Sequence, residues 1–450
     1  MKQMELPAVL GGPPALDRAI LPSWPALADA AALEDIRQAL EAGKWQMGPR
    51  TAEFEKTFAE YCGARHALLV TNCTQALGLS LQALGVEPGD EVILPAIAFI
   101  SDLTIVMLLG AKPVLADVDP ETGNISPEGI AEALTPKTKA ILTLPYSGLP
   151  CDITAIMDLA ARRGVPVVED AAHAHGSAFR GRRIGAWATA SCFSFDQNKV
   201  VSAGQGGAIT TDDEALYKKL KRLRAFGQNP ELTVPEYLFY TEVSGNYKPT
   251  DLQAILLGYQ LAALDGQIAV RERQYQRICR ALEEFPGLRP VIPTPGTERL
   301  SHYMMRFHYD CESWGGLDRN LLIKAFLKDG IPVGPGWTPL YYRLEAYAGG
   351  RGPEALPEWW QRLPHAENNS RRTLTLGMNL LMAGDAAVEQ ALQGFRKIYR
   401  HASEIYQFYQ QPENRVTCRL NDANVLAGYD WIKGNPVELT PLVRKVAHYD

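Results

Sequence analysis

Residues 138–172 read "TKAILTLPYSGLPCDITAIMDLAARRGVPVVEDAA". "TKAILTLPY" is a short apolar run, "DITAIMDLAARRG" has apolar residues at helical spacing and ends on Gly164, and "VPVVEDAA" is a second apolar run closed by two acids. Strand, helix and strand in that order form a βαβ unit, whose two strands lie parallel and whose helix covers one face. The same alternation extends upstream. "HALLVT", "DEVILPA" and "KPVLADVD" read as strands, and "TQALGLSLQAL", "SDLTIVMLLG" and "SPEGIAEALT" as the helices after them. The pattern predicts an α/β fold with a mostly parallel central sheet covered by helices. In such sheets the loops at the carboxyl ends of the strands hold the ligand, so those loops are where chemistry is sought.

Two amphipathic helices precede the alternation, in "ADAAALEDIRQALEAG" and "TAEFEKTFAEYCG". The long helical run "TDLQAILLGYQLAALDGQIAVRERQYQRICRALEEF" leads into "HYMMRFHYD", "DRNLLIKAFLKDG" and "IPVGPGW", which suggest a smaller C-terminal α/β domain. The expected division is an N-terminal arm at 1–28, a large domain at 29–265, a linking helix and small domain at 266–400, and an extension of unassigned role at 401–450. The arm, rich in Pro and Gly, reads as a segment needing a partner surface.

With 450 residues, 46% hydrophobic and 21% charged, and a net charge of −6, the chain has ordinary globular composition. No basic block suggests nucleic acid or a membrane surface. The start lacks the pattern of a signal peptide, and the most apolar stretch is broken by Asp102 and Lys112. Seven cysteines without a CxxC pair read as reduced thiols, and the expected location is cytoplasmic.

The strand ends carry distinctive residues. "LLVTNCTQAL" sets Cys73 and Thr74 at a helix start, where free N–H groups bind anions; a plain helix cap is the alternative. Phe99, after "ILPAIA", either stacks on a flat ligand or fills the core. "VVEDAAHAHG" brings Glu169, Asp170, His173 and His175 to one strand end. A buried carboxylate there demands a cationic partner such as a protonated ring nitrogen. A metal is the competing partner, but no third ligand of recognisable spacing follows, and none is assigned. In "SFDQNKVVSAGQGG" at 194–207, Lys199 stands among apolar residues beside three glycines, with Ser194 five residues earlier. A surface loop lysine is the plain alternative. A lysine deprived of water is nucleophilic as its free amine, as a Schiff base requires. A phosphorylated aldehyde with a pyridine nitrogen uses all these groups together, and pyridoxal 5'-phosphate is that molecule.

"GPRTAEFEKTFAEYCG", "TNCTQAL", "DEVILPAIAF", "VVEDAAHAHGS", "FSFDQNKVVSAGQGG" and "GNYKPTDLQAILLGYQL", in that order, resemble the DegT/DnrJ/EryC1/StrS family. These are fold-type I, pyridoxal-phosphate-dependent aminotransferases of sugars and cyclitols. The resemblance covers roughly residues 30–400. It implies that Lys199 is the Schiff-base and proton-transfer residue, that Asp170 holds the ring nitrogen protonated, and that His173 and Phe99 flank the ring. Cys73, Thr74 and Ser194 would hold the phosphate. A homodimer with shared sites is implied, with Asn246 reaching the partner's phosphate; a turn before the helix at Thr250 is the alternative for Asn246.

The implied reaction moves an amino group from Glu or Gln to a keto sugar or keto cyclitol, with a lean toward cyclitols, in secondary-metabolite formation. Alternatives are a diverged enzyme on the same cofactor, performing elimination, decarboxylation or oxidation, and a non-catalytic cofactor-binding sensor. Three positions depart from the family pattern: Cys73 stands for a glycine, Gln205 for the acid of a G-E-G-G run, and Tyr341 for a histidine. Lys248, Arg371 and Arg372 are candidates for gripping a donor carboxylate, with a solvated basic face the alternative for the two arginines.

Overall fold

Residues 5–25, 30–232, 234, 237–337, 339–340, 363–411 and 414 are described by the structure, a computed structural model. Tyr341, most of the 401–450 segment and the ends of the arm lie outside them.

The chain runs through α1 (Ala30–Glu41), α2 (Pro49–Cys62), β1 (His66–Val70), α3 (Cys73–Ala83), β2 (Glu91–Pro95), α4 (Ile100–Leu108), β3 (Lys112–Ala116), α5 (Pro127–Ala133), β4 (Thr138–Thr143), α6 (Ile153–Arg163) and β5 (Val167–Asp170). Next come β6 (Ala178–Phe179), β7 (Arg182–Arg183), β8 (Ala190–Ser194), β9 (Gly207–Thr211), α7 (Glu214–Arg224) and α8 (Asp251–Leu282). The rest comprises β10 (Leu288–Pro290), β11 (Thr297–Arg299), β12 (Met304–Tyr309), α9 (Arg319–Lys328), β13 (Val333–Pro335), α10 (Pro364–Arg372), β14 (Thr373–Gly377), α11 (Met378–Met382), α12 (Gly384–Arg400) and α13 (Ala402–Gln410).

The β4–α6–β5 unit forms as its sequence dictates. Asp152 caps α6 by accepting from Ala155 N at 3.2 Å, and Gly164 ends it at φ 64°, a left-handed conformation that glycine adopts without a Cβ penalty. The main sheet has seven strands in the order β1-β9-β8-β5-β4-β2-β3. Neighbours are parallel from β8 through β5, β4 and β2 to β3, and β9 runs antiparallel between β1 and β8. Ile141, Leu142, Val167 and Val168 are fully buried because helices cover both faces.

The sequence pattern did not reveal β9. "GAITT" follows a glycine run and is not set off by a preceding helix, yet its insertion decides where the lysine lies. Since β8 and β9 are antiparallel neighbours, the loop 195–206 between them sits at the carboxyl edge of the parallel strands. The outer edge of β1 is closed by an ion pair. Glu55 Oε1 accepts from Leu69 N at 2.8 Å, and Arg224 Nη1 donates both to Glu55 at 2.5 Å and to Leu69 O at 3.0 Å. A free edge that invites unwanted strand pairing is thereby blocked.

A four-stranded antiparallel sheet, β10-β12-β14-β13, packs with α9, α12 and α13 around a second core that includes Phe307, Phe326 and Phe395. Ile405 and Tyr409 of α13 belong to that core, although no period was evident in the sequence there. Helix α8 runs unbroken through residue 265 and joins the two regions. Its Asp251 accepts from Gly48 N at 2.8 Å and from Thr51 N at 2.9 Å, so the start of α8 caps α2.

The described part of the arm rests on its own chain. Val9 and Leu16 enter the second core, and Asp329 O accepts from Ala15 N at 3.1 Å and Leu16 N at 3.0 Å. Further along, Trp24 donates its indole N–H to Lys199 O at 2.8 Å.

Candidate active site

Strand register assembles the first part of the site. Ser194 pairs with Gly207, and Gly207 pairs with Val70, so the ends of β8 and β1 and the start of β9 stand level beside the turn into α3. A Cβ at Gly207 would lie 2.3 Å from Asn72 C and 2.7 Å from Cys73 N, so only glycine lets the turn approach this closely. Asn72 caps α3 by accepting from Gln75 N at 2.9 Å. Among the described residues the Cys73 and Thr74 amides make no hydrogen bond. Two free N–H groups at the positive end of a helix, beside the strand end that carries Ser194, are able to bind an anion. Cys73, where the family pattern has glycine, still leaves its backbone N–H without an acceptor at the helix start.

Asp170 ends β5 and is 3% exposed. Its Oδ1 accepts from Ala172 N at 3.0 Å and from Cys73 Sγ at 3.6 Å. Burial, and then the Asp170 charge, hold the Cys73 thiol well above its usual range, so sulfur keeps its proton and is the donor. Burial raises the Asp170 carboxyl too, offset by the Ala172 N–H, the Lys199 charge, Asp102 and Cys73. Asp102, from the first turn of α4, is fully buried, and burial first, then the neighbouring Asp170 charge, holds its carboxyl well above the usual range. The sequence showed it only as a break in an apolar run.

Lys199 is half-buried, less enclosed than its apolar neighbours suggested, with Nζ 4.7 Å from the centroid of the Tyr303 ring. Tyr303 stacks on His173 at 4.2 Å and 16°. His173 is buried, and desolvation first, then the Lys199 charge, holds it well below its usual range, so the ring is neutral. Its Nδ1 accepts from Ser147 N at 3.3 Å, which places the proton on Nε2. Trp337 lies 5.0 Å from His173 and stacks on Tyr146 at 4.8 Å, while Phe99, half exposed, stands 5.9 Å from Trp337. An aromatic face therefore lines the mouth of the site. Tyr146, Tyr303 and Trp337 were not singled out from sequence, since isolated aromatics carry no spacing signal.

Other candidates lie apart. Asn246 is exposed and bridges to Ala225, where its Oδ1 accepts from Lys248 N at 3.4 Å. Lys248 Nζ lies 5.5 Å from the Phe226 ring. Arg371 is exposed and pairs with Glu367 at 3.7 Å, and Arg372 donates to Pro120 O. Gln205 donates from Nε2 to Asp196 Oδ2 at 3.0 Å. Gln205 thus pairs with an acid of its own loop.

The donor set fits a phosphorylated aldehyde with a basic ring nitrogen: an anion cradle, a buried acid, an amine and flanking rings.

Residues 27–393 match the model of the DegT/DnrJ/EryC1/StrS aminotransferase family. The chain is 36% identical over 371 residues to 3-amino-5-hydroxybenzoate synthase of Amycolatopsis mediterranei (strain S699), covering 81% of this chain and 93% of that protein. It is 33% identical over 407 residues to L-glutamine:2-deoxy-scyllo-inosose aminotransferase of Streptomyces lividus, covering 85% and 95%. Among solved structures, 3-amino-5-hydroxybenzoic acid synthase superposes with a TM-score of 0.77 at 35% identity, covering 84% of this chain and 99% of that one. DesI in the presence of its TDP-sugar product superposes with a TM-score of 0.77 at 27% identity, covering 91% and 100%.

Proposed function

We propose that this chain, which belongs to the DegT/DnrJ/EryC1/StrS aminotransferase family, moves an amino group from glutamate or glutamine to a keto sugar or keto cyclitol, with pyridoxal phosphate as the carrier. The observation that carries the reading is the convergence of the Lys199 loop, Asp170 and the free amides of Cys73 and Thr74 at one sheet edge. Glutamine and an inosose are named for one relative, and a nucleotide-linked sugar for one similar structure. Formation of an aminated secondary metabolite in the cytoplasm is the setting we assign. Among the described residues no helix is long and apolar enough to cross a membrane.

When bound, the carrier holds the amino group between donor and acceptor and delocalises the electrons of the broken C–H bond. The chain's residues do the rest. Cys73 and Thr74 amides and the Ser194 hydroxyl bind the phosphate. Asp170 sets a negative charge against the ring nitrogen, where burial strengthens it. Lys199 would hold the aldehyde through Nζ, and its free amine would be the group that carries a proton at the reacting carbons. His173, neutral and held by the Ser147 N–H, would flank one face of the ring, and Phe99 would flank its approach. We place the boundary of the cofactor-binding region within α8.

We assign a homodimer with shared sites. The segment that ends at Asn246 exposes apolar side chains to solvent, with Val243 92% and Tyr237 69% exposed, as an uncovered interface does. Asn246, exposed at the end of that segment, is assigned to the partner's phosphate.

The test is to load the protein with pyridoxal phosphate, add glutamate or glutamine, and follow conversion to the amine form before offering keto sugars and inososes. Conversion followed by recovery with one acceptor class supports the reading. No conversion with any amino donor favours elimination, decarboxylation or oxidation on the same carrier.

A further inference from the structure

We propose that Asp102 is a protonated carboxylic acid that donates a hydrogen bond to Asp170 and so positions and tempers the acid assigned to the cofactor's ring nitrogen. The inference rests on the role given to Asp170 above, but the proton on Asp102 is testable without any cofactor.

Two carboxyl groups in contact at a buried site cannot both ionise, because each charge opposes the other and neither is solvated. The surroundings decide which one keeps the proton. Asp170 Oδ1 has two donors, Ala172 N at 3.0 Å and the Cys73 thiol at 3.6 Å. Asp102 Oδ1 has Ser101 Oγ at 3.2 Å, and its buried Oδ2 has no donor among the described residues. Ionised, Asp102 would bury a bare oxygen; protonated, it has an acceptor in Asp170. The groups that act on the pair are Lys199 from the β8–β9 loop, Cys73 from α3 and Cys192 from β8. Both cysteines are held as neutral thiols by burial, so Lys199 is the cation among them. The start of α4 favours a charge on Asp102 only slightly, and the cost of burying that charge outweighs it. Asp170 therefore holds the negative charge, ringed by three donors from three elements. Those donors lower its basicity, so a proton on a ring nitrogen stays on the ring, and they fix the carboxylate plane.

The direct test is infrared spectroscopy of the full-length, cofactor-free protein at neutral pH, prepared with aspartate labelled at its side-chain carboxyl carbon. We expect a carboxylic-acid carbonyl band that shifts with the label, disappears in D102N and persists in D329N, the control for another buried aspartate whose pKa burial raises. Absence of the band in labelled wild type, which needs no variant, overturns the proposal, as does its persistence in D102N.

A second readout uses protein loaded with pyridoxal phosphate and follows the pH titration of its visible absorption. D102A removes the donor and leaves Asp170 with its full charge, so the midpoint rises by about half a pH unit or more. D102N supplies an N–H donor and brings the midpoint back toward wild type. Equal shifts in both variants mean that Asp102 only fills space, and overturn the positioning role. Failure to load cofactor at all removes the proposed function, while the infrared band still reports the shared proton.

Discussion

Trp24 and Lys199 lie far apart in sequence, yet the indole N–H of one donates to the backbone carbonyl of the other at 2.8 Å. The N-terminal arm therefore holds the loop that carries Lys199. It also packs on Asp329 beside the second core, so it spans both regions of the chain. One such hydrogen bond is worth about 1 kcal/mol, or roughly fivefold in an equilibrium. Trp24→Phe is expected to weaken pyridoxal phosphate binding about fivefold in an absorbance titration. Affinity unchanged within the error of that titration would mean that the arm does not order the loop.

Gln205 and Asp196 form a neutral-to-charged pair at 3.0 Å. Glutamate at 205, the acid of the family run, would face Asp196 with like charge. Gln205→Glu should cost about 0.5–1 kcal/mol of stability at low salt and less at high salt, since the pair is near the surface. Asp196→Asn in the same chain should restore it. A double-mutant cycle in denaturant reads the coupling, and additive effects would contradict this account.

His175 is enclosed by Phe193 and Phe195, and burial pushes its pKa down to about 3. The unfolded chain takes up this proton near pH 6.5, and the folded chain does not until about pH 3. The contribution is complete above 6.5 and is lost as pH falls from there toward 3, by about 1.4 kcal/mol per pH unit. Buried acids such as Glu169, held up at about 7, act in the opposite sense over part of that range, so the variant must be compared with wild type. His175→Leu should flatten the acid limb by one proton in denaturant unfolding measured across pH. An unchanged slope would show that the histidine is already protonated in the folded state.

Asp170 is assigned to the ring nitrogen, so Asp170→Asn should leave Lys199 able to bind the aldehyde while turnover falls by about a hundredfold or more. Single-turnover kinetics of the donor half-reaction separate this from a loss of cofactor. A fall of less than threefold would remove Asp170 from that role.

The strand-end residues were legible because a parallel sheet fixes where loops at its carboxyl edge must meet. Asp170, Cys73, Thr74 and the Lys199 loop each follow or flank an apolar run, and the fold brings those ends to one edge. β9 was not legible, because a short strand after a glycine run has no periodicity of its own. Asp102 was hidden for a different reason: an acid inside an apolar helix looks like an interruption until its neighbour across the fold is known. The arm's resting surface depends on Asp329 and Lys199, which local sequence around residues 8–24 does not indicate. The assignment proposed for Asn246 depends on a second copy of the chain, which its own sequence does not display.

The central claim is that Lys199 captures the aldehyde. Purified protein soaked in pyridoxal phosphate, reduced with borohydride and digested should yield one modified peptide, carrying the pyridoxyl group on Lys199 within residues 194–207. Visible absorption that appears on soaking and is lost on reduction should accompany it. A colourless protein, or a reduced adduct on a different lysine with Lys199 unmodified, would contradict the account.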